Sequence, residues 1–293
     1  MNELKRILIT ARIDSERAIN ISSKIYEMLS LMDFETLLER ELAWKLNLKG
    51  GVSIRDVDVD AVIVVGGDGT ILKVANEVKE RGIPILSVNA GTVGFLSELD
   101  PEEIYKIPEV LSGKYTIKEC TRVKATIKSF FTKNQVIKNA EEIYPVKDAL
   151  NEITVITSIP SKVINLEVRV EDEELFSGRG DGIIISTTTG ATAYSLSAGG
   201  PIVDPALDVF IITMLSPLSL INRSIIVPVN SKIEVRVCDD GVDAYMSTDG
   251  RDHIFIPAGT NILFEKSEFK TKIICTKEKD FYKKLKRRLK REL

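Results

Sequence analysis

Histidine is nearly absent from this chain: of 293 residues only His253 is one. An HExxH zinc helix and any His-rich metal site are therefore excluded, and a Ser/His/Asp or Cys/His mechanism would have to run through that single residue. Cysteine is scarce as well. Cys120, Cys238 and Cys275 are far apart, odd in number and form no CxxC pair, which argues against a disulfide framework or a thiolate zinc site and fits a reducing compartment. The longest apolar stretch, Val209 to Ile221, is too short to span a bilayer and carries Pro217, and the opening MNELKRILIT lacks the apolar core of a secretory signal. A cytoplasmic protein with no membrane partner is expected. Charge of one sign is also missing: 40 Lys and Arg face 43 Asp and Glu, so binding of nucleic acid by net attraction has no support.

What remains is the composition of a globular protein, 44% hydrophobic and 28% charged. At roughly 150 residues per domain the length suits two domains. Up to about residue 112 the pattern alternates buried-strand runs with helical periods, as in βαβ units. Ile7–Thr10 reads as a strand, Asp14–Leu31 as an amphipathic helix, and Ala61–Val65 as a β-branched strand. That strand runs into Gly66-Gly67-Asp68-Gly69-Thr70 and then a helix whose Ile71, Val74, Ala75 and Val78 share one face. Pro84–Val88 supplies another strand and Pro101 opens a short helix. The expected first domain, residues 1–112, is α/β with a mainly parallel, Rossmann-like sheet. Residues 113–276 are rich in β segments at short spacing, among them NEITVITSI, INLEVRV, GIIIST and KIEVRV, and read as an antiparallel, all-β-rich sandwich domain. Lys277–Leu293 places Phe281, Leu285 and Leu289 four apart among nine Lys or Arg, the pattern of a surface helix packing back on the first domain, with polyanion binding as the minority reading.

The Gly66–Thr70 loop carries the first chemical signal. Glycines after a parallel strand let backbone N–H groups approach an anion while the next helix directs its positive end at it. The loop is neither GxxxxGK[ST] nor GxGxxG. A carboxylate set among phosphates is repelled unless it holds a divalent cation or collects a proton from an attacking hydroxyl, so Asp68 points to phosphoryl transfer. The bland alternative is a Gly-Asp-Gly turn joining strand to helix.

GGDGT resembles the phosphate loop of NAD kinases, of diacylglycerol/sphingosine-type lipid kinases and of 6-phosphofructokinases. The rest of the chain separates them. Asn89-Ala90-Gly91-Thr92-Val93-Gly94-Phe95-Leu96 resembles the NAD kinase NxGxxGFL segment, Asn151-Glu152 its Asn-Glu pair, the block from Gly180 to Pro201 (GDGIIISTTTGATAYSLSAGGP) its long signature, and Thr248-Asp249-Gly250 a fifth motif, all in family order.

The resemblance implies transfer of the ATP γ-phosphoryl group to the 2′-hydroxyl of the adenosine ribose of NAD, giving NADP. Polyphosphate is an alternative donor. Asp68 is then the general base or a metal-associated acid. Gly66, Gly67, Gly69 and Thr70 would hold phosphates, with Lys73 one helical turn inward as a charge partner or a solvated lysine. Asp68, Gly69 and Asn89 would also meet NAD, although Asn89 before Ala-Gly equally suits a turn cap. Asn151 and Glu152 would bind the ribose diol, the acid excluding a ribose already phosphorylated. The hydroxyl run Ser186–Thr189 and Thr192, with Ala193, Tyr194, Ser195 and Ser197, is expected to take adenine, Tyr194 offering a ring face and a polar tip. Asp181 would contact the nicotinamide end and Arg179 a phosphate or neighbouring subunit. Lys162, Asp249 and Arg251 complete the implied NAD contacts. A divalent cation such as Mg²⁺ is expected as cofactor without assigned ligands, and a homodimer or homotetramer as the assembly.

The chain departs from the signature at Ala191, where Ser is usual, and at Thr188, where Pro is usual, so one hydroxyl is absent and the loop is less constrained. Arg251-Asp252 replaces a common Gln or aromatic continuation, and His253 reads as a surface or strand-edge residue. A lipid-type kinase leaves the GDG…TAYSLSAGGP block unexplained, and a nucleotide-sensing module without catalysis has no evident need of Asp68.

Overall fold

The protein is described by a computed structural model covering residues 3–91, 94–132, 135–138, 147–219, 223–239, 242–276 and 281–289. Thr92 and Val93 of the second loop, and Glu278 and Asp280 before the terminal helix, lie outside the described residues. The chain forms two compact units, Met1–Cys120 with Phe269–Leu293, and Thr121–Glu268.

The first unit is built from β1 (Arg6–Ala11), α1 (Glu16–Ser30), β2 (Glu35–Leu38), α2 (Arg40–Lys45), β3 (Ala61–Gly66), α3 (Asp68–Val78), β4 (Ile85–Asn89) and α4 (Ile107–Leu111). β1 to β4 pair in parallel, in the order β4-β3-β1-β2. β3 and β4 are buried along their whole length, which is why they read as continuous apolar runs. Helix α1 starts at Ser15, whose hydroxyl accepts the Ala18 N–H, and buries Ile21, Ile25 and Leu29 at four-residue spacing. Sequence patterning gave no element to residues 35–45, where β2 and α2 stand. Both are short and α2 buries only Leu42 and Ala43, too little for a period to emerge.

Two long strands, β5 (Thr116–Thr132) and β17 (Asn261–Cys275), begin in one unit and end in the other. The division between the units falls inside both strands, after Cys120 and after Glu268, where no change of composition marks it. In the first unit Ile273 of β17 pairs in parallel with Ile85, and α6 (Phe281–Leu289) follows.

In the second unit a sheet containing β9 (Ile164–Val170), β10 (Glu173–Gly180), β14 (Ile233–Val237) and part of β17 faces a six-stranded antiparallel sheet. The latter holds β8 (Glu152–Thr157), β11 (Gly182–Thr187), β12 (Val209–Leu215), β13 (Ile225–Pro228), β15 (Ala244–Thr248) and β16 (Arg251–Ile256), in the order β13-β12-β11-β8-β15-β16. Leu166, Val168, Val235 and Phe264 from one sheet and Val155, Ile183, Ile185 and Phe210 from the other share one core, so this unit is the sandwich expected from alternation. Among the described residues no helix is long and apolar enough to cross a membrane.

Candidate functional site

In the first unit the strand-to-helix turn is set by Gly67, which caps α3 in extended conformation with its carbonyl accepting the Thr70 and Ile71 N–H groups. A side chain added at Gly67 or Gly69 would meet nothing of the chain within 4 Å. The protein's own packing therefore does not require glycine at either position. Lys73 is exposed and lines a shallow pocket with Thr70, Glu39, Glu41 and Glu77.

Asp68 opens α3, and its carboxylate is received by the second loop: Oδ2 accepts the Phe95 N–H at 3.0 Å and Oδ1 the Leu96 N–H at 3.2 Å. Gly94 makes this possible, since a Cβ there would lie 1.9 Å from Asp68 Oδ1. The two glycine-bearing loops are thus one device, in which the second fixes the acid of the first. Asn89, buried at the end of β4, spends its Oδ1 on the Gly91 N–H, the turn cap weighed against ligand contact from sequence.

In the second unit the Asn-Glu pair precedes and begins β8. Both residues are buried, and Asn151 Oδ1 and Glu152 Oε2 have no hydrogen-bond partner among the described residues. Buried acceptors left this way cost free energy unless something else supplies hydrogens. The backbone beneath them is braced throughout. Asp249 accepts the N–H groups of Leu150, Asn151 and Glu152 at 2.9, 2.7 and 3.3 Å. Asp249 and Gly250 both have positive φ and form the two-residue hairpin loop between β15 and β16, the I′ geometry that Asp-Gly favours. Thr187 Oγ1 donates to the Leu150 carbonyl and Ser186 Oγ to that of Asn151.

Two adjacent buried carboxyls cannot both be comfortably ionised. Asp249 is pushed up by burial and held back by its backbone donors, on both of its oxygens, and by Arg122. Glu152 is pushed up to about 8 by burial first and then by the Asp249 charge, against the opposing Tyr194 N–H. Above its ordinary 4.5 the unfolded chain releases the Glu152 proton while the folded chain holds it, so raising the pH from there to about 8 favours unfolding. Glu152→Gln is therefore expected to melt above wild type at pH 8 and close to it near pH 4. Thermal melts across that range check this; curves separated equally at every pH would contradict it.

The long signature is less solvent-directed than the sequence suggests. Ser186, Thr187 and Ser195 are fully buried, the first two serving Leu150 and Asn151, while Ser195 Oγ lies 3.3 Å from Thr213 Oγ1. Ser195 is expected from the resemblance to meet NAD; in the short helix α5 (Tyr194–Ser197) its hydroxyl lies against Thr213, on the face of β12 opposite the sandwich core. Thr192 is buried, Ala193 half-buried, Ser197 exposed, and Tyr194 is 43% exposed. Lys162, Arg179, Asp181, Arg251 and His253 are all exposed.

Sequence reasoning missed Arg122. Fully buried, it meets Asp148 through Nε to Oδ2 and Nη2 to Oδ1, both at 2.9 Å, and Ser267 Oγ adds a third donor at 2.8 Å. A lone arginine in a β-rich segment gives no signal of this. Among the described residues no group of three or more His, Cys, Asp or Glu could hold a metal ion.

Residues 2–115 match the family model for the ATP-NAD kinase N-terminal domain and residues 150–276 that for the ATP-NAD kinase C-terminal domain. The NAD kinase of Thermococcus sibiricus is 36% identical over 279 residues, covering 94% of this chain and 95% of that protein. That of Methanothermobacter thermautotrophicus is 36% identical over 289 residues, covering 98% and 96%. Among solved structures, yeast NADH kinase complexed with NADH is similar at a TM-score of 0.85 and 25% identity, over 98% of this chain and 87% of that one. An NAD kinase from Archaeoglobus fulgidus in complex with ATP is similar at 0.73 and 28%, over 96% of each chain.

Proposed function

Because this chain belongs to the NAD kinase family, we propose a division of labour among its residues in ATP-dependent phosphorylation of NAD. The observation that carries it is the pair of partnerless buried oxygens, Asn151 Oδ1 and Glu152 Oε2. A vicinal diol suits them, since each hydroxyl both donates and accepts and a protonated Glu152 can do the same. Asn151 and Glu152 hold the adenosine ribose, Tyr194 lends its exposed ring face to adenine, and Asp249 acts beneath them by fixing their backbone. Gly67, Gly69 and Thr70 at the start of α3 receive phosphate oxygens, with Lys73 as the nearby cation. Asp68, its carboxylate oriented by two N–H donors, takes the proton of the attacking 2′-hydroxyl as the new O–P bond forms and the bond between the γ-phosphorus and the ADP oxygen breaks.

A divalent cation fits this donor set in one way. Asp68 is the only carboxylate of the Gly66–Thr70 loop, so an ion there would draw its other ligands from nucleotide phosphates and water, the coordination Mg²⁺ favours. Bound so, it neutralises phosphate charge.

The test is the purified protein with NAD, ATP and Mg²⁺, NADP being read by an NADP-specific dehydrogenase, beside reactions with polyphosphate or excess chelator. NADP is expected with ATP and a loss of at least tenfold in chelator. Binding of NAD without turnover on either donor would favour a sensing module, and undiminished activity in chelator would remove the cation.

A further inference from the structure

We propose that Thr276 and the terminal helix α6 form a positioning strap that holds the Asp68-binding loop in place, making Phe281 and Arg288 positioning residues for phosphoryl transfer. The proposal rests on the reading of Asp68 as the base. The residues that follow Gly94 have two sets of partners. Toward the phosphate loop, the Phe95 and Leu96 N–H groups hold the two oxygens of Asp68. Toward the chain terminus, the same short segment is gripped at three residues, Phe95, Glu98 and Asp100. The Phe95 ring lies 6.2 Å from that of Phe281, tilted by 41°, and the Arg288 guanidinium sits 5.2 Å from its centroid. Glu98, buried, accepts both the N–H and the hydroxyl of Thr276 at 2.6 and 2.7 Å. Asp100 lies 3.6 Å from Arg287.

Helix α6 is dominated by Lys and Arg, and propensity alone does not stabilise nine residues in water. Its aromatic and cationic contacts converge on the residue whose backbone orients Asp68. A side chain held by two N–H donors from one loop keeps its orientation only while that loop keeps its backbone, and displacement of a catalytic group by about 1 Å can cost roughly a hundredfold in rate. The strap supplies no group to the substrate. It lowers the freedom of the residues that hold the one that does.

The experiment uses the full chain with Phe281→Ala and Arg288→Gln, alone and combined with Asp68→Asn, and Phe281→Tyr as the conservative variant. The expected result is a fall of about tenfold in kcat for Phe281→Ala, with KM for NAD and ATP within about twofold of wild type and near-normal activity for Phe281→Tyr. In the Asp68→Asn background the same change should cost nothing further, because the strap acts through that carboxylate. Should Phe281→Ala fail to fold, Arg288→Gln, which removes the cation over the ring, carries the same expectation at smaller size. Unchanged kcat, or losses that multiply with Asp68→Asn, would overturn the strap. A rise in KM for ATP at normal kcat would also overturn it, placing the basic residues of α6 on the donor phosphates. Full turnover by Asp68→Asn alone would instead defeat the reading of Asp68, so the two failures are told apart.

Discussion

Asp68→Asn should lose several powers of ten in kcat while NAD still binds. The side chain keeps its size and place, but an amide cannot take the hydroxyl proton. Loss of a base acts on the transition state far more than on the ground state, so kcat and kcat/KM fall together. The environment adds to the effect. Two N–H donors face the two carboxylate oxygens, whereas an amide presents one acceptor and one donor, leaving an N–H opposite an NH₂. The expected signature is residual turnover set by phosphate binding and orientation alone, with NAD affinity, measured by titration, within a few-fold of wild type. Wild-type turnover would mean that Asp68 neither moves a proton nor assists a metal. Loss of NAD affinity in proportion to kcat would mean that its role is binding.

The second large effect is on stability. Arg122→Met leaves Asp148 buried with a charge, keeping the Ser267 hydroxyl but losing both guanidinium donors. Breaking a buried pair from one side costs about 3–5 kcal/mol, which for a chain of this size corresponds to a melting temperature lower by roughly 10 °C. Removing both charges, Arg122→Met with Asp148→Leu, should recover most of that, since the penalty lies in the uncompensated ion. The site should respond as well. The Arg122 charge helps hold the Asp249 carboxyl down, and Asp249 fixes the N–H groups of Leu150, Asn151 and Glu152. A raised KM for NAD is therefore expected in both variants. Melting curves and KM together check this. A single variant as stable as wild type would show that the pair bears no uncompensated charge.

The sequence by itself determined the two-part architecture and the chemistry. Runs such as Ala61–Val65 and Pro84–Val88 are continuous because parallel strands are buried on both faces, and the alternation in Ile233–Val237 reports a strand with one wet face. Gly66–Thr70 stood out because its chemistry sits in consecutive residues, where a linear text records it, and Asn151-Glu152 because it resembles the family's Asn-Glu pair. What the fold alone decided depends on residues distant in the chain. That Gly94 makes room for Asp68, that Asp249 holds Leu150–Glu152, and that Arg122 meets Asp148 are contacts between 26 and 99 positions apart, for which no local period or motif exists. The direction of a hydroxyl was equally out of reach. Ser186, Thr187 and Ser195 have the composition of a ligand-facing loop and are spent on the protein's own backbone and neighbours. Which face a short turn presents is set by packing against β8 and β12, and hydroxyls that can serve either side carry no mark of the choice.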